Sequence, residues 1–314
     1  MATAEAIRPD DILKELSVHW RDLGHGTTEP AAGDQGALLR ACSMTLTCFA
    51  DDEEDAQTLN EVLASLMREH PSRLIVVRLK DGEDELAARV SSQCWKPFGH
   101  QRQICCEQVE VTASINRLAD VASIVAPLAA PDLPRVVLLR SSRIVRAGAL
   151  RKILALGDKI IVDSARPGAP GFGELGGLLD AGHITGDLAW TRLTPMRALL
   201  AQLLENRRPE KIVIEYGGKE ASPEARYLQA WLQTALADAS VALRGNSSNG
   251  RSLILRVDTD LVVRLCKGGA EYETGSMTQR ASMPPGTEEQ LLNEELGIVT
   301  HDRTFERALN QITA

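Results

Sequence analysis

"RVVLLRSSRIVRAGALRKILALGDKIIVDSA", residues 135–165, is the stretch that decides the fold. Its ends, "RVVLLR" (135–140) and "KIIVDSA" (159–165), are short apolar runs with polar borders. That is the pattern of short apolar strands. Between them "IVRAGALRKILALG" (144–157) reads as a helix. Strand, helix and strand in that order make a β-α-β unit, and the crossover forces the two strands to run parallel.

Working outward toward the N-terminus, "SINRLADVASIVAPLAAP" (114–131) reads as a helix up to Pro127. "ELAARVSSQCW" (85–95) and "QICCEQVEVTA" (103–113) alternate like antiparallel partners. "PSRLIVVRLK" (71–80) and "ACSMTLTCFA" (41–50) are strands, separated by a helix over "DDEEDAQTLNEVLASLMREH" (51–70). "PDDILKELSVHWRDL" (9–23) is an amphipathic helix with Ile12, Leu13, Leu16 and Trp20 on one face, followed by a Gly/Pro linker over 24–36. Toward the C-terminus, "RPGAPGFGELGG" (166–177) reads as a linker and domain boundary. Strands follow at 211–218, 241–245, 252–258 and 261–269, with helices at 222–239, 286–299 and 302–312. Ser222 before Pro223 predicts an N-cap, and Thr287 to Gln290 a capping box. The expected class is α/β with some α+β character: two domains with mixed sheets flanked by helices. The expected division is an N-terminal helix and linker over 1–35, an α/β domain over 36–166 and a second over 167–314.

The 314 residues carry 43 acidic and 35 basic side chains, a net charge of −8. That balance argues against nucleic acid as a partner. No run approaches the ~18–20 apolar residues of a membrane span, and no secretory leader opens the chain. The expectation is a cytoplasmic protein with no membrane partner. Its six cysteines (42, 48, 94, 105, 106 and 266) have no C-x-x-C spacing and read as free thiols in a reducing compartment, which makes the sequon at Asn246 irrelevant. Cys105 and Cys106 on one strand point to opposite faces.

Few motifs point to chemistry. Gly171-x-Gly173-x-x-Gly176 has dinucleotide spacing but lacks the strand directly before it, so a linker is the reading. The acids at 51–55 suit a helix N-terminus without any metal. The histidines have no metal-ligand spacing, and there is no G-x-S-x-G or P-loop. No cofactor is expected. The segment 135–166 holds eight basic residues against Asp158 and Asp163, so Arg140, Arg143, Arg146, Arg151 and Lys152 form a candidate patch for a phosphate or an acidic partner. "DLAWTRLTPMRALLAQ" (187–202) divides in two. Thr194 and Pro195 suit an N-cap and the first helical position, and an apolar stripe follows from Met196 to Leu204. Asp187, Trp190 and Arg192 before it, with Pro71, Ser72 and Arg73, are candidate partner contacts, since Trp and Arg are enriched in interface hot spots. A packed corner with an Arg–Asp bridge is the alternative.

The same stretch resembles the signature of the OpcA family, the glucose-6-phosphate dehydrogenase assembly proteins. "ACSMTLTCFADDEEDAQTLNEVLASLMREHPSRLIVV", "EQVEVTASINRLADVASIVAPLAAPDLPRVVLLR", "DKIIVDSA" and "LLNEELGIVTHDRTFERAL" resemble further family segments in the same order, over roughly residues 8–312. Met196 stands where the family usually has a second Trp, and "LRSSRIVRAG" (139–148) replaces an aromatic strand end. The resemblance implies a non-catalytic assembly factor or allosteric activator that binds glucose-6-phosphate dehydrogenase in the oxidative pentose phosphate pathway. The alternative is an enzyme or sensor with a sugar phosphate as substrate or effector, held by the basic segment.

Overall fold

A computed structural model describes residues 8–25, 39–52, 56–82, 84–96, 103–246 and 252–314. The linker over 26–36, the acids Glu53–Asp55 and the sequon residues Ser247 and Ser248 lie outside them. The chain forms two compact units. One holds the chain up to Val162 and takes back Arg166–Ala169; the other holds Asp163–Ala165 and Pro170–Ala314.

The first unit is built on β1 (Leu39–Arg40), β2 (Met44–Asp51), β3 (Ser72–Lys80), β4 (Leu86–Trp95), β5 (Ile104–Ser114), β6 (Arg135–Leu139) and β7 (Lys159–Val162). Parallel strands run in the order β5-β3-β2-β6-β7, with β1 also parallel to β5 and β4 antiparallel on its other side. The β6–β7 pair is parallel, as the β-α-β reading requires. Numbered along the chain, the parallel strands follow the doubly wound order 3-2-1-4-5, with the reversal between β2 and β6. β2 and β3 are buried on both faces, which is why their apolar runs are nearly continuous. The helices are α1 (Pro9–His25), α2 (Ala56–Glu69), α3 (Leu118–Leu128), α4 (Ser142–Arg146) and α5 (Leu150–Leu154), with a 3-10 turn at Ile115–Arg117.

Three expectations change here. The single helix at 144–157 is two short ones, because Gly148 takes φ +64° between them. The acids at 51–52 do not open α2; Asp51 ends β2. Not all cysteines are free: Cys94 and Cys105 form a disulfide. They face each other in the β4–β5 register with Cα atoms 4.1 Å apart, the spacing of a closely approached antiparallel pair. Cys106 points to the other face, where burial pushes its thiol up to about 11.

The second unit holds α6 (Phe172–Asp180), β8 (Ile184–Asp187), α7 (Leu188–Thr191), α8 (Thr194–Leu204), β9 (Lys211–Gly217), α9 (Pro223–Ala235), β10 (Ser240–Asn246), β11 (Leu253–Val257), β12 (Leu261–Cys266), β13 (Gly269–Thr274), β14 (Met277–Ser282), α10 (Glu288–Gly297) and α11 (Arg303–Thr313). Its six-stranded sheet runs β10-β9-β11-β12-β13-β14, parallel only between β9 and β10. Each unit is therefore α/β with a mixed sheet and flanking helices. The Ser222 cap and the Thr287–Gln290 capping box form as expected. The glycine-rich stretch read as a linker is instead helical over α6. Leu175 and Leu178 are buried three residues apart, and Gly176 lets Thr313 of α11 come close, so tertiary burial overrides the poor helix propensity of glycine.

One buried charge ties the first unit together. Glu107 on β5 is 4% exposed. It accepts from Arg73 Nε at 2.6 Å and from Trp20 Nε1 of α1 at 2.7 Å, and pairs with Arg40. Arg73 also donates to the Leu128 carbonyl at the end of α3 at 2.7 Å. Replacing Glu107 by Gln leaves the buried Arg73 guanidinium without a counter-charge. The expected loss is roughly 3–5 kcal/mol of stability, measured by urea denaturation. A loss under about 1 kcal/mol would show that the cluster does not hold α1 and α3 on the sheet.

Candidate functional site

The D-x-x-W-x-R stretch lies in the second unit, where β8 turns into α7. Asp187 is fully buried and caps α7. Its Oδ1 accepts from the Ala189 amide at 2.9 Å and the Ser164 amide at 3.0 Å, and its Oδ2 from the Tyr227 hydroxyl of α9 at 2.8 Å. Burial pushes its carboxyl up to about 6, against the pull of these donors. Burial and the neighbouring Asp187 charge raise the Tyr227 phenol well above its ordinary value.

Trp190 is 3% exposed. Its ring contacts Tyr227 edge-on at 5.7 Å and Phe305 at 5.8 Å, and its N–H donates to Asp302 at 3.3 Å. The Arg197 guanidinium stacks over its face at 3.7 Å, and burial lowers that residue's pKa. Thr194 does not cap α8. The preceding α7 leaves Leu193 in helical backbone geometry, so the helix starts from it, and the Thr194 hydroxyl donates to Glu294 at 2.8 Å instead. Only Arg192 of the three candidates reaches the surface, with its side chain 32% exposed. Asp163 holds it through two bonds of 2.7 and 2.6 Å, and Glu224 lies 3.9 Å away.

Next to this corner the second unit contains a cavity of about 650 Å³. Thr191–Leu193, Pro195 and Met196 form one wall, and Leu253, Leu265, Met283 and Leu291 line much of the rest. This surface had no motif in the sequence, because its lining comes from six separate stretches of chain.

The other candidate residues separate. Ser72 and Arg73 are buried at the start of β3, and Pro71 accepts from Ser43, so these three serve the packing of the first unit. Within the basic segment Arg143 is 6% exposed. It lies 3.3 Å from Asp51, donates to Asp81 at 3.0 Å and bonds the Leu79 carbonyl at 3.2 Å, which removes it from any surface patch. Arg135 pairs with Asp158, and Lys159 is buried. Arg140 is half-buried, while Arg146, Arg151 and Lys152 are exposed on α4 and α5.

The doubly wound order of the first unit marks the place where such sheets bind dinucleotides, at the carboxyl ends of β2 and β6. The described residues there do not fit one. A pyrophosphate needs glycine backbone and helix-terminal amides. Here Asp51 ends β2 and Asp52 follows it, the Ser141 hydroxyl bonds Asp51, and Arg143 pairs with Asp51 and with Asp81 beyond β3. The G-x-G-x-x-G stretch fares no better. Its Gly171 amide already donates to Glu174 at 2.8 Å, which puts a carboxylate where a phosphate would sit. Among the described residues no cluster of three or more His, Cys, Asp or Glu is placed to hold a metal ion, and no helix is long and apolar enough to cross a membrane.

Two outcomes are expected of this corner. Trp190→Ala should cost about 3–5 kcal/mol in chemical denaturation, as for other buried aromatics, rather than leave the fold untouched. A wild-type-like midpoint would contradict the packing. Asp187 has a raised folded pKa, so the native state holds more protons than the unfolded chain between pH ~4 and ~6, and its contribution to stability falls as pH rises through that window. Asp187→Asn removes the titration. The variant should gain on the wild type as pH goes from 4 to 7, by up to roughly 3 kcal/mol. A pH-independent difference would contradict the raised pKa.

Two stretches of the chain match known family models. Residues 64–174 match the family described as glucose-6-phosphate dehydrogenase subunit N-terminal domain, and residues 184–309 the one described as its C-terminal domain. The chain is 26% identical over 221 residues to an OxPP cycle protein OpcA of Synechocystis sp., covering 67% of this chain and 46% of that protein. It is 26% identical over 181 residues to an OpcA of Nostoc punctiforme, covering 53% and 38%. The matched region thus spans less than half the length of these relatives. Among solved structures, a biliverdin reductase from Synechocystis sp. aligns at TM-score 0.48 and 10% identity over 86% of this chain and 96% of that one. An NAD-binding oxidoreductase from Klebsiella pneumoniae aligns at 0.49 and 10% over 87% and 94%. With both halves matched in order, the chain belongs to the OpcA family.

Proposed function

We propose that this protein is a non-catalytic partner of glucose-6-phosphate dehydrogenase. It binds the enzyme in the oxidative pentose phosphate pathway and shifts its assembly or its conformational equilibrium. Membership of the OpcA family supports the partner and the pathway. The observation that carries the non-catalytic reading is the filling of both dinucleotide positions by the chain's own side chains. Arg143 and Asp51 occupy the switch point, and Glu174 occupies the Gly171 helix start. A binder changes an enzyme only through differential affinity for its states, and no reacting group of its own is required. A sugar-phosphate site would have to rest on Arg140, Arg146, Arg151 and Lys152, since Arg143 is committed to Asp51 and Asp81.

The test is steady-state kinetics of the cognate dehydrogenase with and without the full chain, read beside the mass of the complex by analytical ultracentrifugation. A changed KM, kcat or oligomer mass is expected, with no turnover of glucose 6-phosphate by the chain alone. Unchanged kinetics with no complex would remove the proposal, and saturable turnover by the isolated chain would replace it with an enzyme.

A further inference from the structure

We infer that the cavity of the second unit is the docking site for the partner, and that it receives a large apolar side chain from a partner segment whose acidic neighbour meets Lys267. This rests on the partner reading above and names the surface it leaves open. The cavity holds about 650 Å³, the size of a specific ligand site. Its apolar walls include Met196, Leu253, Met283 and Leu291, and Leu265 stands 44% exposed among the lining residues. Two methionines give walls that adapt to the shape they meet.

The polar lining shows which occupant fits. A sugar phosphate needs several convergent donors with bonding capacity to spare. Here the lining donors Arg192 and Thr191 are already engaged: Asp163 takes both terminal nitrogens of Arg192, and the Thr191 hydroxyl donates to Glu295. Glu224 and Glu294 place two carboxylates in the lining, which oppose a phosphate. Among the described residues the Lys267 ammonium has no carboxylate within ion-pairing distance. It is the exposed cation of the β12–β13 turn, where Gly268 takes φ +79°. An apolar hollow with one uncompensated cation is complementary to an apolar anchor beside a carboxylate. The anchor supplies burial, and the charge fixes its approach.

The test measures affinity of the full chain for the cognate dehydrogenase by sedimentation. The variants are Leu265→Arg, Lys267→Glu and Lys267→Arg, all at exposed positions, with thermal melts to confirm folding. The expected result is a loss of about tenfold or more for Leu265→Arg. Lys267→Glu should lose about threefold or more and Lys267→Arg should stay near wild type. If wild type binds and all three variants bind as tightly, the cavity is not the docking site, while the partner reading stands. If glucose 6-phosphate raises the wild-type melting temperature and Leu265→Arg abolishes that rise, the cavity is a metabolite site and the inference fails. If wild type does not bind the dehydrogenase, the partner reading fails and the docking role falls with it.

Discussion

A carboxylate with no exposed surface organises the second unit. Burying the Asp187 charge is costly, and it is tolerated because three donors converge on it: two backbone amides and the Tyr227 hydroxyl. Those bonds fix where β8 ends and where α7 begins, and they tie α7 to α9 through Tyr227. The phenol ring packs in turn with Trp190 and Phe305, and Trp190 reaches Asp302, which caps α11. Glu295 of α10 completes the corner by bonding the Thr191 hydroxyl at 3.0 Å, and Gly186 has no room for a Cβ beside it. Four helices thus meet around one acid.

That arrangement explains a signature rich in Trp, Asp and Arg that lies mostly out of reach of any partner. Asp187 and Trp190 work from inside, holding residues 191–196 as a fixed wall, and only Arg192 of the three touches the surface. A docking surface built on such a wall binds with little ordering cost. In the first unit the same economy of side chains works against a ligand. Asp51, Ser141, Arg143 and Asp81 bond one another across the strand ends, where a doubly wound sheet would otherwise offer glycine backbone and open amides.

Much of the architecture was legible in local pattern. The apolar runs at 135–139 and 159–162 and the helix between them imply a parallel pair, and the alternation at 86–95 and 104–114 implies an antiparallel one. What escaped was set by tertiary contact. The helix over 172–180 is disguised by three glycines among its nine residues, and the burial of Leu175 and Leu178 secures it. β13 and the edge strand β14 are polar and little buried, so no apolar alternation marks them. The disulfide depends on a strand register that composition cannot supply. The candidate contacts at Arg73, Trp190 and Arg143 had the residue types of an interface, yet each finds its partner inside its own unit, and Ser72 is buried beside Arg73. The cavity was invisible because no two of its walls are continuous in sequence.

The central claim is that the free chain already holds a rigid corner and that the partner covers the surface beside it. Hydrogen–deuterium exchange of the full chain, alone and with the cognate dehydrogenase, tests it most directly. The expected result is slow exchange of residues 186–193 in the free protein, with new protection on binding at 191–196, 265–268 and 283–291. Rapid exchange of 186–193 in the free chain, or new protection confined to the first unit, would contradict it.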